Sequence, residues 1–179
     1  MIGMFFTSDK IIKLIFTEKW LSSDIYFKIF CLSYALWPIL TITLQPMKAL
    51  GNSQLFLRLE IIKRGLGLII IFVSLQFGPF YVAIGFLIER LLETIINFIP
   101  NIYLINYSFL ELVSDIWKTI AATIGMAIVV LITDFLNLNY VFLLILQIIF
   151  GALTYFVIIL TLDKEILIFI LNLLKKLKK

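Results

Sequence analysis

The chain contains five long apolar runs, and only short polar connections separate them. The runs lie near 25–45, 61–77, 80–101, 116–136 and 138–162. An apolar run of about 18 residues is long enough to cross the roughly 30 Å hydrocarbon core of a bilayer as a helix. Hydrophobic residues make up 63% of the chain, well above the roughly 45–50% of a soluble domain. The sequence therefore predicts an all-α fold, a polytopic membrane helix bundle of about five transmembrane helices.

The composition excludes several classes of chemistry. The 179 residues include no His and a single Cys, Cys31, which lies within the first apolar run. Without His, imidazole acid–base catalysis and His-containing zinc sites are excluded, and one thiol cannot form a disulfide within the chain. The sequence also has no phosphate-binding glycine loop and no nucleophile elbow. We therefore expect a protein that is not an enzyme and that binds neither a metal ion nor a cofactor.

Two amphipathic segments flank the apolar runs. Residues 1–22 mix apolar side chains with charged ones and include Trp20, a residue type enriched at membrane interfaces. Residues 164–179 end in a lysine-rich stretch that follows apolar residues, which is typical of a basic amphipathic helix on an anionic leaflet. The sequence thus predicts an interfacial segment at 1–22, a five-helix transmembrane bundle at 23–163 and a cytoplasmic basic tail at 164–179.

The distribution of Lys and Arg among the connections predicts the orientation in the membrane. The connections at 46–64 and 105–118 and the C-terminal tail together hold ten of these residues. The N-terminal part through Lys28 holds four, and the two turns on the same side hold none. Because cytoplasmic connections are enriched in Lys and Arg, we expect a cytoplasmic C-terminus and an N-terminus outside. The basic excess fits such anchoring better than nucleic-acid binding.

Charged residues near the middle of the third run are the leading candidates for function. Glu89, Arg90 and Glu93 would lie at membrane depth, where ionisable groups are costly and usually face a bundle interior or an aqueous cavity. Glu89 and Glu93 are four residues apart and share a helix face, which Asn97 extends. The cluster could line a pathway in which Arg90 binds an anionic group and a carboxylate binds a coupling cation. The alternative is a neutralised cluster that packs against another helix.

Polar and aromatic residues elsewhere in the runs leave two interpretations open. Gln45 joins the candidate substrate or ion pathway, but Gln45, Asn97 and Gln147 could also serve only in hydrogen bonds between helices. Tyr34 and Trp37 could stack on sugars if they lined a cavity, and otherwise they belong to an aromatic belt at the membrane surface.

Proline, glycine and basic residues predict local features of the runs. Pro38 lies inside the first run and is expected to kink its helix, because it removes a backbone donor. Gly78 and Pro79 predict a tight reversal between the second and third runs. Lys63 and Arg64 are interpreted as anchors that reach from the second run to the membrane surface.

Three sequence segments carry a resemblance to one membrane-protein family. They are FTEKW at 16–20, KALGNS at 48–53 and LFLRLEIIKR at 55–64. With these segments, the chain resembles the C-terminal part of bacterial polysaccharide flippases of the O-antigen type. That family belongs to a superfamily that also holds multidrug exporters and lipid II flippases. The resemblance extends from the interfacial segment to the lysine-rich end.

The resemblance implies a transport function. A flippase moves a lipid-linked oligosaccharide across the bacterial inner membrane, so the expected partners are the bilayer, that substrate and the N-terminal helix bundle that family members carry. Family members resemble one another in having two bundles and cytoplasmic termini, and a C-terminal fragment after an outward loop would have the topology counted above. We therefore expect a truncated fragment of a flippase. The alternative is a non-catalytic helical membrane subunit that packs against a partner bundle.

Overall fold

The structure, a computed structural model, describes residues 1–136 and 138–163, and the regular secondary structure in these ranges is helical. Within them, eight α-helices and one 3-10 helix follow one another: α1 Ile2–Phe6, α2 Ser8–Phe16, the 3-10 helix Glu18–Ser23, α3 Asp24–Ala35, α4 Trp37–Ala49, α5 Ser53–Leu75, α6 Pro79–Leu104, α7 Phe109–Thr133 and α8 Tyr140–Leu162. The predicted all-α fold is confirmed for this part of the chain. The predicted basic tail at 164–179 lies outside the described residues.

Pro38 separates α3 from α4. A proline inside a helix lacks a backbone N–H, and its ring clashes with the carbonyl four residues earlier. Helix α3 ends at Ala35, Leu36 forms a turn, and α4 begins at Trp37 with the proline in its first turn, where proline is favoured. The kink predicted at this proline is therefore confirmed as a one-residue break.

Helices α5 and α6 are joined by the predicted tight reversal. Gly78 has φ 104°, a conformation that favours glycine, and Pro79 is the first residue of α6. Helix α5 is longer than its apolar run, since it already begins at Ser53. The second half of the polar connection at 46–64 is thus the first part of α5.

The chain forms two compact units, Met1–Glu111 and Leu112–Lys179. In the first unit, α6 is the central helix, because it packs against α3, α4 and α5. In the described part of the second unit, α8 contacts α7 at Gly151, where an added Cβ would lie 3.2 Å from the Val130 side chain. The candidate charged residues therefore lie on the most enclosed helix of the first unit.

Three helical stretches are long and apolar enough to cross a membrane: Glu18–Ala49, Phe109–Thr133 and Tyr140–Leu162. By this measure the described residues provide three of the five predicted spans. Helices α5 and α6 have 23 and 26 residues, so charge rather than length sets them apart. Seven charged residues lie within these two helices: Arg58, Glu60, Lys63, Arg64, Glu89, Arg90 and Glu93. The three apolar stretches give the chain the character of a membrane protein.

The N-terminal segment folds as α1, α2 and the 3-10 helix, and polar contacts connect it to α3. The Ser8 hydroxyl donates a hydrogen bond to the Asp24 carboxylate, which also pairs with Lys28 at 2.6 Å. Phe16 and Trp20 are 56% and 58% exposed. The segment therefore offers apolar side chains to its surroundings, and its location at a membrane interface stays a prediction.

Candidate functional site

Four polar residues form a line along the buried face of α6, and we refer to Glu89, Glu93, Asn97 and Asn101 as the α6 polar stripe. Their spacing of four residues keeps them on one face of the helix. Glu93, Asn97 and Asn101 are at most 6% exposed, and Glu89 is partly exposed. The opposite face exposes branched aliphatic side chains, namely Ile88, Leu91, Ile95, Ile99 and Ile102. A helix in water shows the reverse pattern, so α6 suits apolar surroundings.

Glu89 lies directly against α5. A Cβ added at Gly67 would collide with the Glu89 carboxylate, so the glycine makes room for this side chain. Within residues 1–136 and 138–163, Glu89 has neither a hydrogen-bond donor nor a cation paired with it. The Glu89 carboxylate therefore has no direct ion pair in these ranges, although Lys63 of α5 lines the same gap.

Lys63 of α5 faces the same part of α6. Its side chain is 3% exposed and pairs with Glu60, which Arg64 also approaches at 3.6 Å. Lys63 lines a gap together with Glu89 and Glu93, and the gap is too narrow for a water molecule. The prediction that Lys63 is an anchor reaching the membrane surface is wrong, because the side chain is buried between helices.

Arg90 is held by one carboxylate and three aromatic rings. Its Nη1 donates to Glu93 Oε2 at 2.6 Å, and its guanidinium carbon lies 4.8 Å from the ring centre of Phe86, 5.5 Å from that of Trp37 and 5.9 Å from that of Tyr34. We call these three rings the Arg90 aromatic cluster. A guanidinium within about 6 Å of a ring face is stabilised by the ring quadrupole. The charge of Arg90, whose side chain is 16% exposed, is thereby partly compensated within the helix packing.

Asn101 connects the polar stripe to α4. The Asn101 side-chain amide donates to the backbone oxygens of Thr43 at 2.9 Å and Asn97 at 3.1 Å. The amide oxygens of Asn97 and Asn101 are buried and have no hydrogen-bond donor in the described part of the chain. These two acceptors leave hydrogen-bonding capacity inside the first unit unused.

Gln45 does not join this arrangement. Its side chain is exposed, whereas its neighbours Thr43 and Met47 on α4 are buried. The structure thus brings together Glu89, Glu93 and Asn97 of the sequence-derived candidates, with Arg90 beside them, and leaves Gln45 on another face.

The second unit has a separate polar contact between its two helices. Gln147 on α8 is 1% exposed, and its amide donates to Val130 O at 3.1 Å and to Asp134 Oδ1 at 2.8 Å. Lys118 and Asp163 also form an ion pair at 3.1 Å. The interpretation of Gln147 as a hydrogen-bonding residue between helices is therefore confirmed.

Three residues of the site are not among its predicted members. The sequence predicts Lys63 at the membrane surface, gives Phe86 no role, and places Asn101 only at the end of a span. Helical spacing contains a signal for two of them, since Phe86 precedes Arg90 by four residues and Asn101 follows Asn97 by four. The burial of Lys63 depends on how α5 packs against α6, which no local spacing reveals.

A methyl group added at Gly67 tests the contact between α5 and α6, because it would occupy the space of the Glu89 carboxylate. We expect Gly67→Ala to lower the free energy of unfolding by about 1 kcal/mol, the lower end of the usual cost of inserting a methyl group into a packed site, because the Glu89 carboxylate that it would meet is the end of a flexible side chain. At Gly65 an added Cβ would meet nothing within 4 Å, so Gly65→Ala is the matched control and should leave stability unchanged or slightly raised. Unfolding of purified protein in detergent measures both. Adding Glu89→Ala should restore much of the loss, and equal losses for the two glycines would contradict the contact.

Comparisons with known proteins identify no relative, since no protein-family model, curated protein or solved structure matches this chain.

Proposed function

We propose that this chain takes part in moving lipid-linked oligosaccharide across a bacterial cell membrane, as the C-terminal part of a polysaccharide flippase. The α6 polar stripe carries the proposal. It places carboxylates and amides inside a helical unit whose outer face is aliphatic. Ionisable groups at membrane depth are costly and usually mark a substrate or ion pathway. The resemblance of the segments at 16–20, 48–53 and 55–64 to flippases supports the same function.

The proposal includes five membrane spans, with the N-terminus outside and the C-terminus in the cytoplasm. In addition to the three apolar stretches, α5 and α6 would also cross the membrane. Their outward residues support this, because the second half of α5 exposes Leu68, Ile69, Phe72 and Val73, as α6 exposes its aliphatic face. The charged residues of α6 point into the unit and so avoid the lipid.

Labelling of single cysteines tests this topology. In a Cys31→Ser background, a membrane-impermeant thiol reagent should modify Leu138→Cys from outside the cell and spare Ser53→Cys. Both positions are exposed at helix ends, so accessibility within the protein is matched. Disruption of the cells should make Ser53→Cys reactive. Modification of Ser53→Cys in intact cells, with Leu138→Cys protected, would reverse the orientation.

The second candidate function is a helical subunit that packs against a partner bundle. One observation favours it, namely that the gap between Lys63, Glu89 and Glu93 is too narrow for water. Charged side chains packed against one another without water between them are typical of a structural cluster.

Complementation separates the two candidates. In a strain that lacks its polysaccharide flippase, we expect surface polysaccharide when the chain is produced together with the N-terminal bundle of a flippase whose own C-terminal part has been deleted. The chain alone should fail, because a half-pathway exposes no continuous polar route. If the chain is inserted in the membrane but restores no polysaccharide, either alone or with the N-terminal bundle, the transport function is rejected and the helical subunit remains as the candidate function. Restoration by the chain alone would keep the transport function and remove the need for a second bundle.

A further inference from the structure

Two members of the Arg90 aromatic cluster are open to the surroundings. Tyr34 and Trp37 are 41% and 53% exposed, and their ring centres lie 6.4 Å apart. Phe86 lies behind Tyr34, with ring centres 5.9 Å apart, while the Arg90 side chain is 16% exposed. The rings of Tyr34 and Trp37 are therefore on the exposed side of the cluster, and the Arg90 guanidinium lies beneath them.

The polar ends of these two rings lack partners. Within the described ranges, neither the Tyr34 hydroxyl nor the Trp37 indole N–H takes part in a hydrogen bond. The rings flank the break between α3 and α4, in the middle of the apolar stretch Glu18–Ala49 rather than at its ends. Tyr and Trp at a membrane surface find water for these groups, but at this depth water is scarce. A polar ligand would supply the missing hydrogen bonds.

The Arg90 guanidinium also keeps binding capacity. One of its nitrogens bonds to Glu93, and its Nε is buried without an acceptor in the part of the chain that the structure describes. A guanidinium offers five donors in a planar fork that matches phosphate and carboxylate oxygens. An incoming anion could therefore share Arg90 with Glu93 or replace it.

We propose that Tyr34, Trp37 and Arg90 form a binding site for an anionic saccharide headgroup. A sugar ring stacks on the exposed aromatic faces, its hydroxyl groups bond to the phenol and indole, and its phosphate or acidic carboxylate binds Arg90. The apolar face of the sugar gains contact area by stacking on the aromatic rings. The positive charge of Arg90 makes the site selective for headgroups that carry a negative charge. The inference rests on the proposed transport function, because a transport pathway must admit the polar headgroup of its substrate to the charged residues of α6.

Fluorescence of Trp37 tests the site directly. The full chain with Trp20→Phe and Trp117→Phe leaves Trp37 as the single tryptophan, and it is placed in phosphatidylcholine nanodiscs. Farnesyl diphosphate linked to N-acetylglucosamine should change the emission saturably. Farnesyl diphosphate without sugar, and a neutral farnesyl N-acetylglucosaminide, should each bind about tenfold or more weakly, because each supplies only part of the contact. A farnesyl glucuronide should bind if the carboxylate substitutes for the phosphate.

Conservative variants separate binding from folding. Arg90→Lys keeps the charge but loses the planar fork, and we expect at least about a tenfold loss of affinity for the diphosphate-linked sugar. Tyr34→Leu should weaken binding of all three sugar-containing probes. Tyr26→Leu is the matched control, because Tyr26 also lies on α3 but contacts Phe80, at 6.4 Å, rather than Arg90. The affinity of Tyr26→Leu for the diphosphate-linked sugar should stay unchanged.

Besides the absence of a saturable emission change, two results would overturn the inference. One is an equal emission change with phosphatidylglycerol, which carries the charge without a sugar. The other is unchanged affinity in both Arg90→Lys and Tyr34→Leu. Binding is measured without transport, so its failure is distinguishable from failure of the proposed function. If the chain binds the headgroup but does not complement, the binding site is supported and the transport function is rejected. If it complements but does not bind the headgroup, the transport function is supported and the binding site is rejected.

Discussion

Lys63→Met is expected to lower the free energy of unfolding by about 3–5 kcal/mol, the usual cost of removing one partner from a buried ion pair. The side chain is 3% exposed and lies among the carboxylates of Glu60, Glu89 and Glu93. Methionine retains most of the volume, so the loss reports charge rather than a cavity. Without the ammonium group, three acidic side chains on two packed helices would share only the arginines as counter-charges.

Arg64→Met is the matched control for this prediction. Arg64 also approaches Glu60, at 3.6 Å, but its side chain is 70% exposed. Exposed ion pairs contribute at most about 1 kcal/mol, so the control should change stability little. Unfolding in detergent compares the two variants. Glu60→Gln added to Lys63→Met should recover part of the loss, because it removes the carboxylate that has lost its buried Lys63 partner. Equal, small effects of both methionine substitutions would show that Lys63 is not a buried counter-charge.

Much of the fold follows from apolar runs and helix-breaking residues. The break at Pro38 and the reversal at Gly78 and Pro79 are backbone effects, which depend on local covalent structure and are therefore predictable. The N-terminal part of α5 is more difficult to predict, since its charged residues resemble those of a surface connection. In the structure, Glu60 and Lys63 pair within one helix turn, which lets the helix continue through them.

The candidate site was predictable along one helix and not between helices. The four-residue spacing of Glu89, Glu93 and Asn97 defines a shared face without knowledge of any neighbour. The side chains that complete the site come from α3, α4 and α5, and their positions depend on tertiary packing. Gln45 shows the same limit, because its polarity within an apolar run does not reveal which way α4 is rotated.

Glu89→Gln and Glu93→Gln are expected to affect transport in different ways. Glu93 is 6% exposed and bonds to Arg90, whereas Glu89 has no cation or donor paired with it in the described part of the chain. We therefore expect Glu89 to be the carboxylate that binds the coupling cation. Glu89→Gln should abolish complementation, to the level of the deletion strain, while membrane abundance and unfolding stay close to those of the parent protein.

Glu93→Gln should lower stability and abundance together, because it leaves the guanidinium of Arg90 without its anion. Complementation should fall in proportion to the protein that remains in the membrane. Asp163→Asn is a suitable control, since its ion pair with Lys118 lies in the second unit, outside the α6 polar stripe. Parent-level complementation by Glu89→Gln would assign this carboxylate to packing. The same result for Glu93→Gln at normal abundance would show that the aromatic rings alone suffice to hold Arg90 in place.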